Sequence, residues 1–425
     1  MHEEFLHYIW QYKLYQQINI TTECGQSLEV INPGELNRDA GPDFFNAKIK
    51  IGETLWSGNV EVHVSASDWN THNHHKDKAY DNVILHVVEN NDAVATRTNG
   101  EAIPVLLMQY PETLLSQYQS FVNSQQWLAC ADKVSQVNSF EISLWIQRLL
   151  VERLEYKLKD VQRILDHTTH NWDETFYRYL FRSFGFGVNS DPFELLAQSL
   201  PLKVLLKYSN DITMVEALLF GQAGFLNEKA GDQYYTKLRE DYLFFKQKHN
   251  LTSLDVHMWK FLRLRPSNFP TVRISQLAQL FVQLKGRFGI LINEENEEIV
   301  ENRLDIKCSA YWEEHYTFQK TSEKSVKRLG KGSRDLIIIN TLVPFLFAYG
   351  KITGQASYSN KAFEWLAKLK PENNAILNKW KEHEIEIKNA GDSQALIYLS
   401  KYYCKRKKCL HCRIGHKLLT IKDNA

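Results

Sequence analysis

The sequence has almost no net charge: 51 Lys and Arg against 50 Asp and Glu leave +1 over 425 residues. Its global field therefore favours no partner class, and any preference for nucleic acid must come from local patches. It also lacks an apolar run near the ~18 residues needed to span a bilayer. The most apolar stretch, Leu336 to Tyr349, is interrupted by Asn340 and Pro344 and predicts a buried core helix. The opening MHEEFLHYIW has no basic n-region and no continuous apolar h-region, so no secretory leader is expected. Cysteines are few and uneven: Cys24, Cys130 and Cys308 stand alone, while Cys404, Cys409 and Cys412 cluster. That pattern excludes a secreted disulfide framework. No Walker A loop, GxGxxG fingerprint or GxSxG elbow occurs, which removes support for nucleotide-binding and serine-hydrolase readings. No fixed repeat period is visible either, so a helical repeat array is not supported. Together these absences predict a cytoplasmic protein with no membrane partner.

What remains is an ordinary globular balance, 44% hydrophobic and 24% charged, with 12% aromatics to fill large cores. The length suggests two or three domains. Phe5, Tyr8, Ile9, Tyr12 and Leu14 recur at helical spacing and predict a helix over Glu3 to Gln16. The period then changes. Ser27 to Ile31, Phe44 to Ile51, Trp56 to Val64, Val83 to Val88 and Ile103 to Met108 predict strands, with a hairpin tip at Glu53-Thr54. The polar run Ser67 to Asp81 between them predicts an irregular helix or a loop. From Ser139 onward, apolar residues at i, i+3 and i+4 predict helices throughout. The predicted class is therefore α+β: a small mixed α/β domain over 1–130, a large all-α domain over 138–400, and a basic, cysteine-containing tail over 401–425.

Chemistry concentrates between Asn32 and His86. Asp43 follows Gly41-Pro42 and precedes one strand, and Glu61 and His63 sit two apart on the next. Strand side chains alternate, so Glu61 and His63 share a face while Val60, Val62 and Val64 take the other. If the two strands form a hairpin, Asp43 reaches the same polar face. Converging carboxylates suit a hard cation such as Mg²⁺ or Mn²⁺, which can activate water and neutralise a phosphodiester. The bland reading is that Asp43 caps a turn and that Glu61 and His63 form a solvent face. Asp68 to Asp77 adds His72, His74, His75 and two aspartates, a set suited to Zn, Mn or Fe. It lacks the HExxH spacing of a zinc helix, so His72 and Asp77 rank as secondary candidates. His86, on an apolar strand, reads as a hydrogen-bonded core histidine. Glu35, Asn37 and Asp39 lie in the loop before Asp43 and could face the same site.

The order of helix, strand, strand with Pro42-Asp43, strand with Glu61-Val62-His63, crossover and strand resembles the PD-(D/E)XK nuclease superfamily. The resemblance covers the first quarter of the chain. It implies a restriction-endonuclease-like core in which Asp43 and Glu61 bind metal and His63 stands beside the attacking water, where the superfamily has lysine. The chain as a whole also resembles a bacterial family of unknown function.

Cys404, Cys409 and Cys412 follow a C-x4-C-x2-C spacing that can wrap one soft ion, with His411, His416 or Cys130 as a fourth ligand. With Cys130 the set resembles the iron–sulfur subgroup of the same superfamily, in which a distant cysteine and a C-terminal trio hold a [4Fe–4S] cluster. Ligand softness alone does not separate zinc from iron–sulfur.

Three basic stretches accompany these motifs. Lys401 to Lys417 carries seven Lys and Arg and no acid. Lys324, Lys327, Arg328, Lys331 and Arg334 form the second. Arg263, Arg265 and Arg273 lie near Trp259 and Phe269. Basic groups with nearby aromatics suit a nucleic-acid backbone. The sequence thus points to a metal-dependent phosphodiesterase acting on DNA. Two alternatives stand beside it: a non-enzymatic nucleic-acid-binding or scaffold protein, and a metal hydrolase built on His72, His74, His75 and Asp77.

Overall fold

A computed structural model describes residues 2–228 and 231–421; residues 422–425 of the predicted tail lie outside the described residues. The chain forms two compact units. One comprises the residues up to Ile142 together with those from Ser400 onward, and the other is Ser143–Leu399. The basic tail thus folds with the N-terminal unit.

The first unit is built on a mixed sheet. Helix α1 (His2–Gln11) is followed by β1 (Leu28–Asn32), β2 (Glu35–Leu36), β3 (Phe44–Ile51) and β4 (Thr54–Ser65). A short helix α2 (Asp68–Thr71) and two 3₁₀ turns lead to β5 (Val83–Asn90), β6 (Val105–Leu107) and helix α3 (Glu112–Asn123). The order across the sheet is β1-β3-β4-β5-β6, with β2 also on β3. The β1, β2 and β4 pairings with β3 are antiparallel, whereas β5 runs parallel to β4 and β6 parallel to β5. A parallel neighbour needs a crossover, and residues 66–82 supply it.

Alternating sequence explains these strands. Ala47, Ile49 and Ile51 of β3 are buried, as are Val60 and Val62 of β4. Phe5, Leu6, Ile9 and Trp10 of α1 are fully buried too. Each such Val, Leu, Ile or Phe side chain contributes about 1.5–3 kcal/mol on burial. The helix stops at Gln11, short of the predicted Gln16, and Lys13 takes a left-handed backbone (φ 52°). The hairpin turn is Gly52-Glu53, one residue before the predicted tip, because Ile51 pairs with Thr54. A bulge lies between Phe44 and Ala47, where Asn46 has φ 59°. Gly58 of β4 admits no side chain: a Cβ there would lie 2.4 Å from Ile84 Cγ2 and 2.7 Å from the Asn82 carbonyl.

The second unit is helical apart from a two-stranded ribbon at His315–Thr317 and Lys320–Thr321. Its core gathers aromatic and aliphatic side chains such as Phe176, Phe181, Phe345 and Trp365. Side-chain caps mark its helix starts: Asn171 Oδ1 accepts from Glu174 N, and Asp211 Oδ1 from Thr213 N. The apolar run at 336–349 lies in the helical stretch Lys331–Thr353. This stretch is apolar and long enough to meet a membrane-span criterion, yet 67% of its most apolar window is buried inside the fold. Its middle, Ile338–Leu342, widens into a π-turn just ahead of Pro344. Proline has no N–H to give the preceding turn, and the wider turn accommodates that loss.

Candidate metal centre

The first unit brings Asp43, Glu61 and His63 together. Glu61 and His63 are almost wholly buried, at 4% and 1% exposure, so they are not the solvent face of an exposed strand. The crossover covers them. Trp69 of α2 and Tyr80 of the second 3₁₀ turn pack around His74, whose ring stacks on Tyr80 at 3.8 Å and meets Trp69 edge-on at 5.3 Å. Asp43 is not simply a turn cap. Its Oδ2 accepts from Val62 N at 3.0 Å, while its own N–H donates to Glu61 Oε2 at 3.0 Å. The two acidic residues are thereby locked across the β3–β4 pairing. Asn37 shapes the preceding loop by donating to the carbonyls of Asp39, Ala40 and Pro42.

Histidines complete the centre. His74 Nε2 lies 3.2 Å from Glu61 Oε1, and His63 Nε2 lies 3.4 Å from the same oxygen. His72 Nδ1 is 3.3 Å from His63 Nε2, and His86 Nε2 is 2.9 Å from His63 Nδ1. One ligand atom from each of His63, His72 and His74 falls within 4.8 Å of the others. A second triad, Glu3, His7 and Asp43, meets the same criterion. His7 Nε2 is 3.1 Å from Asp43 Oδ2.

Burial sets the protonation states. It pushes the His63 imidazole down to about 2, helped by the neighbouring histidines, and His86 down to about 4. Both rings are therefore neutral and can offer lone pairs. Burial raises the Glu61 carboxyl, and the Asp43 charge adds to that, against the opposing contact with His74. At His7 burial acts to lower the pKa, but the Asp43 carboxylate outweighs it and the net shift is upward. The neutral rings leave the centre short of protons. His86 Nδ1, fully buried, has no hydrogen-bond partner among the described residues. If His86 donates from Nε2 to His63, its Nδ1 is a bare buried lone pair. If the proton sits on Nδ1 instead, it is a buried donor with no acceptor.

Several sequence candidates fall outside this cluster. Asp77 is exposed and caps its own 3₁₀ turn through Ala79 N at 2.9 Å. Glu35 is exposed on β2. His75 is half-buried with an unpartnered Nδ1. Sequence reasoning named His74 only within the alternative metal-hydrolase set and missed Glu3 and His7. The available signal was local: Glu3 and His7 are four apart on α1, so they project from one helix face. What that face meets is a tertiary fact.

The four cysteines of the second candidate site also converge. Cys130, Cys404, Cys409 and Cys412 line one small pocket with Phe121, Leu128, Ala129 and Tyr403. The basic stretches fare unequally. Arg328 and Arg334 each pair with Asp305 at 2.8 Å, Lys331 with Glu301 at 2.7 Å, and Lys324 with Glu314 at 3.6 Å. Lys327 is buried and donates to the Glu313 carbonyl, and Arg273 is buried against Gln276 and Asn268. In the tail, by contrast, Lys401, Lys405 and Lys408 are exposed with no ion-pair partner among the described residues, and Arg406 lies over Tyr402.

The sequence profile of a family described as protein of unknown function (DUF2851) matches residues 3–375. The chain belongs to that family. The match spans every residue of the histidine–carboxylate centre and ends before the three tail cysteines. No curated protein and no solved structure matches the chain.

Proposed function

We propose that the histidine–carboxylate centre binds a divalent metal and hydrolyses phosphodiester bonds in DNA. The observation that carries this reading is the cluster of Glu61, His63, His72 and His74, closed in by Asp43 and His7. The element order also supports it. Helix α1, the β3–β4 hairpin and parallel β5 come in the order that the superfamily resemblance implies, with Asp43 before one strand and Glu61 within the next.

The donor set fits a metal. His63 and His86 are held neutral, and His86 carries an orphaned buried nitrogen. His63, His72, His74 and Glu61 would hold the ion. Three imidazoles move the preference from Mg²⁺ toward Mn²⁺, Zn²⁺ or Fe²⁺. A bound ion supplies Lewis acidity and lowers the pKa of a coordinated water. The chain's own groups do the rest. Asp43, anchored by Val62 N, fixes His7 in place and favours its protonated form, so His7 can give a proton to a leaving oxygen. His86 orients the His63 ring through Nδ1. The His63 ring, kept neutral, is a ligand here and not a stand-in for a charged lysine. The exposed tail lysines supply a backbone contact surface.

Titration of the protein with Mn²⁺ and Zn²⁺ by calorimetry tests the metal. His74→Ala is expected to weaken binding by more than the ~10–100-fold typical of outer-shell losses. DNA cleavage assayed beside Asp43→Asn and Glu61→Gln tests the chemistry, and cleavage unchanged in both would sink it. Salt-sensitive DNA binding with no cleavage under any of these metals would favour the non-enzymatic binding reading, which the exposed tail also supports.

A further inference from the structure

The tail is fastened to the first unit at several points, and two of them are on α1. His411 Nε2 lies 2.9 Å from Glu4 Oε1, and His416 Nδ1 lies 2.9 Å from the Tyr8 hydroxyl. The His416 ring also packs on Tyr12, with centroids 4.5 Å apart. Glu4 and Tyr8 lie on the helix that carries Glu3 and His7, and Tyr12 directly follows it. Elsewhere Lys407 Nζ donates to the Ser124 carbonyl at 2.7 Å, and Arg413 and Lys417 pair with Glu141.

Between these contacts sit the four cysteines. Cys130 lies after α3, Cys404 ends a π-turn, Cys409 opens a 3₁₀ turn, and Cys412 precedes the C-terminal helix Arg413–Thr420. None of the described cysteines is disulfide-bonded. Burial, together with the proximity of the other thiols, pushes Cys130 up to about 12 and Cys409 up to about 11. The loop that presents them is tightly held. Lys407 has a left-handed backbone, and a Cβ at Gly415 would meet the Cys409 carbonyl at 2.2 Å. Four thiols around one pocket, from two segments remote in sequence, are a donor set for a soft metal.

We propose that Cys130, Cys404, Cys409 and Cys412 hold one thiophilic metal centre, either a zinc ion or an iron–sulfur cluster, and that this centre clasps the tail onto α1. Loading at the cysteines then governs how firmly α1 presents Glu3 and His7 beside Asp43. That last step alone rests on the function proposed above; the clasp itself does not.

The test uses untagged full-length protein purified without oxygen. Elemental analysis and the visible spectrum come first. About one zinc per chain with no colour, or iron and sulfide with a broad visible band, each supports the centre and tells the two apart. Cys130→Ser and Cys409→Ser are each expected to lose that metal. Hydrogen exchange is then followed over residues 3–11. Removing the thiolate-bound metal from wild-type protein with a chelator is expected to speed exchange there about tenfold or more, and reloading to restore it. His416→Phe separates the two parts: it should keep the metal and lose the protection of α1. Metal-free native protein with reactive thiols would overturn the centre. Unchanged α1 exchange after complete metal loss would overturn the clasp. His74→Ala, which removes a ligand of the histidine–carboxylate centre and none of the cysteines, should keep both the metal that Cys130→Ser loses and the protection of α1, so failure of that centre to bind metal or cleave DNA leaves this test intact.

Discussion

His86 shows how one side chain can tie stability to pH. It is fully buried, contacts His63 at 2.9 Å and is held down at about 4 from an ordinary 6.5. A base with a depressed folded-state pKa binds its proton more readily when unfolded. Stability from this residue is therefore complete above 6.5 and drains away as pH falls toward 4, by about 3 kcal/mol in all. Urea unfolding of metal-free protein between pH 4 and 7.5 is expected to show that decline, and His86→Gln to flatten much of it. Equal slopes in the two proteins would mean that His86 does not carry the effect. His63, shifted further in the same direction, leaves a residual slope in the variant. At this scale the sequence was partly legible. The pairing of Glu61 with His63 follows from strand alternation, and Asp43 from its place before the neighbouring strand. His86 read as a hydrogen-bonded histidine, which it is, but its partner proved to be His63. Glu3 and His7 could not be placed, because no local pattern says which residue a helix face will meet.

Among the elements, strands were the most legible and the crossover the least. The alternation through Phe44–Ile51 and Val60–Val62 declares the hairpin by period alone, although Glu61 and His63 on the second face of β4 are buried as well. Residues 67–82 are polar, and polarity usually means solvent. Here His74 is drawn in beside Glu61 and His63, Trp69 and Tyr80 seal the layer, and the exposed His72 closes over His63 from the solvent side. The bulge at Asn46 was equally hidden. It adds a residue to β3 just after Asp43 and so re-aims the strand start, a common device beside functional sites. Gly58 fixes the other side of β4. Its missing side chain lets Ile84 and the Asn82 carbonyl approach, next to a register shift between β4 and β5. Gly58→Ala is expected to cost about 1–3 kcal/mol, the range for overpacking a filled interior. Thermal melts would show it as a lowered midpoint, and a variant as stable as wild type would mean that β5 yields without strain. Because Gly58 lies three residues from Glu61, the same substitution should also weaken Mn²⁺ binding.

For the whole molecule, counting charges along the chain overstated the basic surface. The stretch from Lys324 to Arg334 reads as a cationic patch, but Asp305, Glu301 and Glu314 pair with four of its five side chains and the fifth is buried. Those acids come from other parts of the sequence, so the cancellation is visible only in three dimensions. In the tail Arg413 and Lys417 pair with Glu141, but Lys401, Lys405, Arg406 and Lys408 have no ion-pair partner among the described residues, and the tail folds with the N-terminal unit that holds the candidate centre. Nucleic-acid binding, where it occurs, should therefore depend on the tail. Each phosphate contact contributes about −0.9 to the slope of log affinity against log salt on duplex DNA. Replacing Lys405, Arg406 and Lys408 with Glu is expected to make that slope shallower by roughly 3, whereas Arg328→Ala should leave it unchanged. Fluorescence anisotropy with a labelled duplex from 50 to 300 mM salt, as an order-of-magnitude working range, measures both. A slope that responds to Arg328→Ala and ignores the tail substitutions would move the contact surface to the helical unit. It would also detach nucleic-acid binding from the metal-clasped tail, leaving the clasp a purely structural part in holding α1.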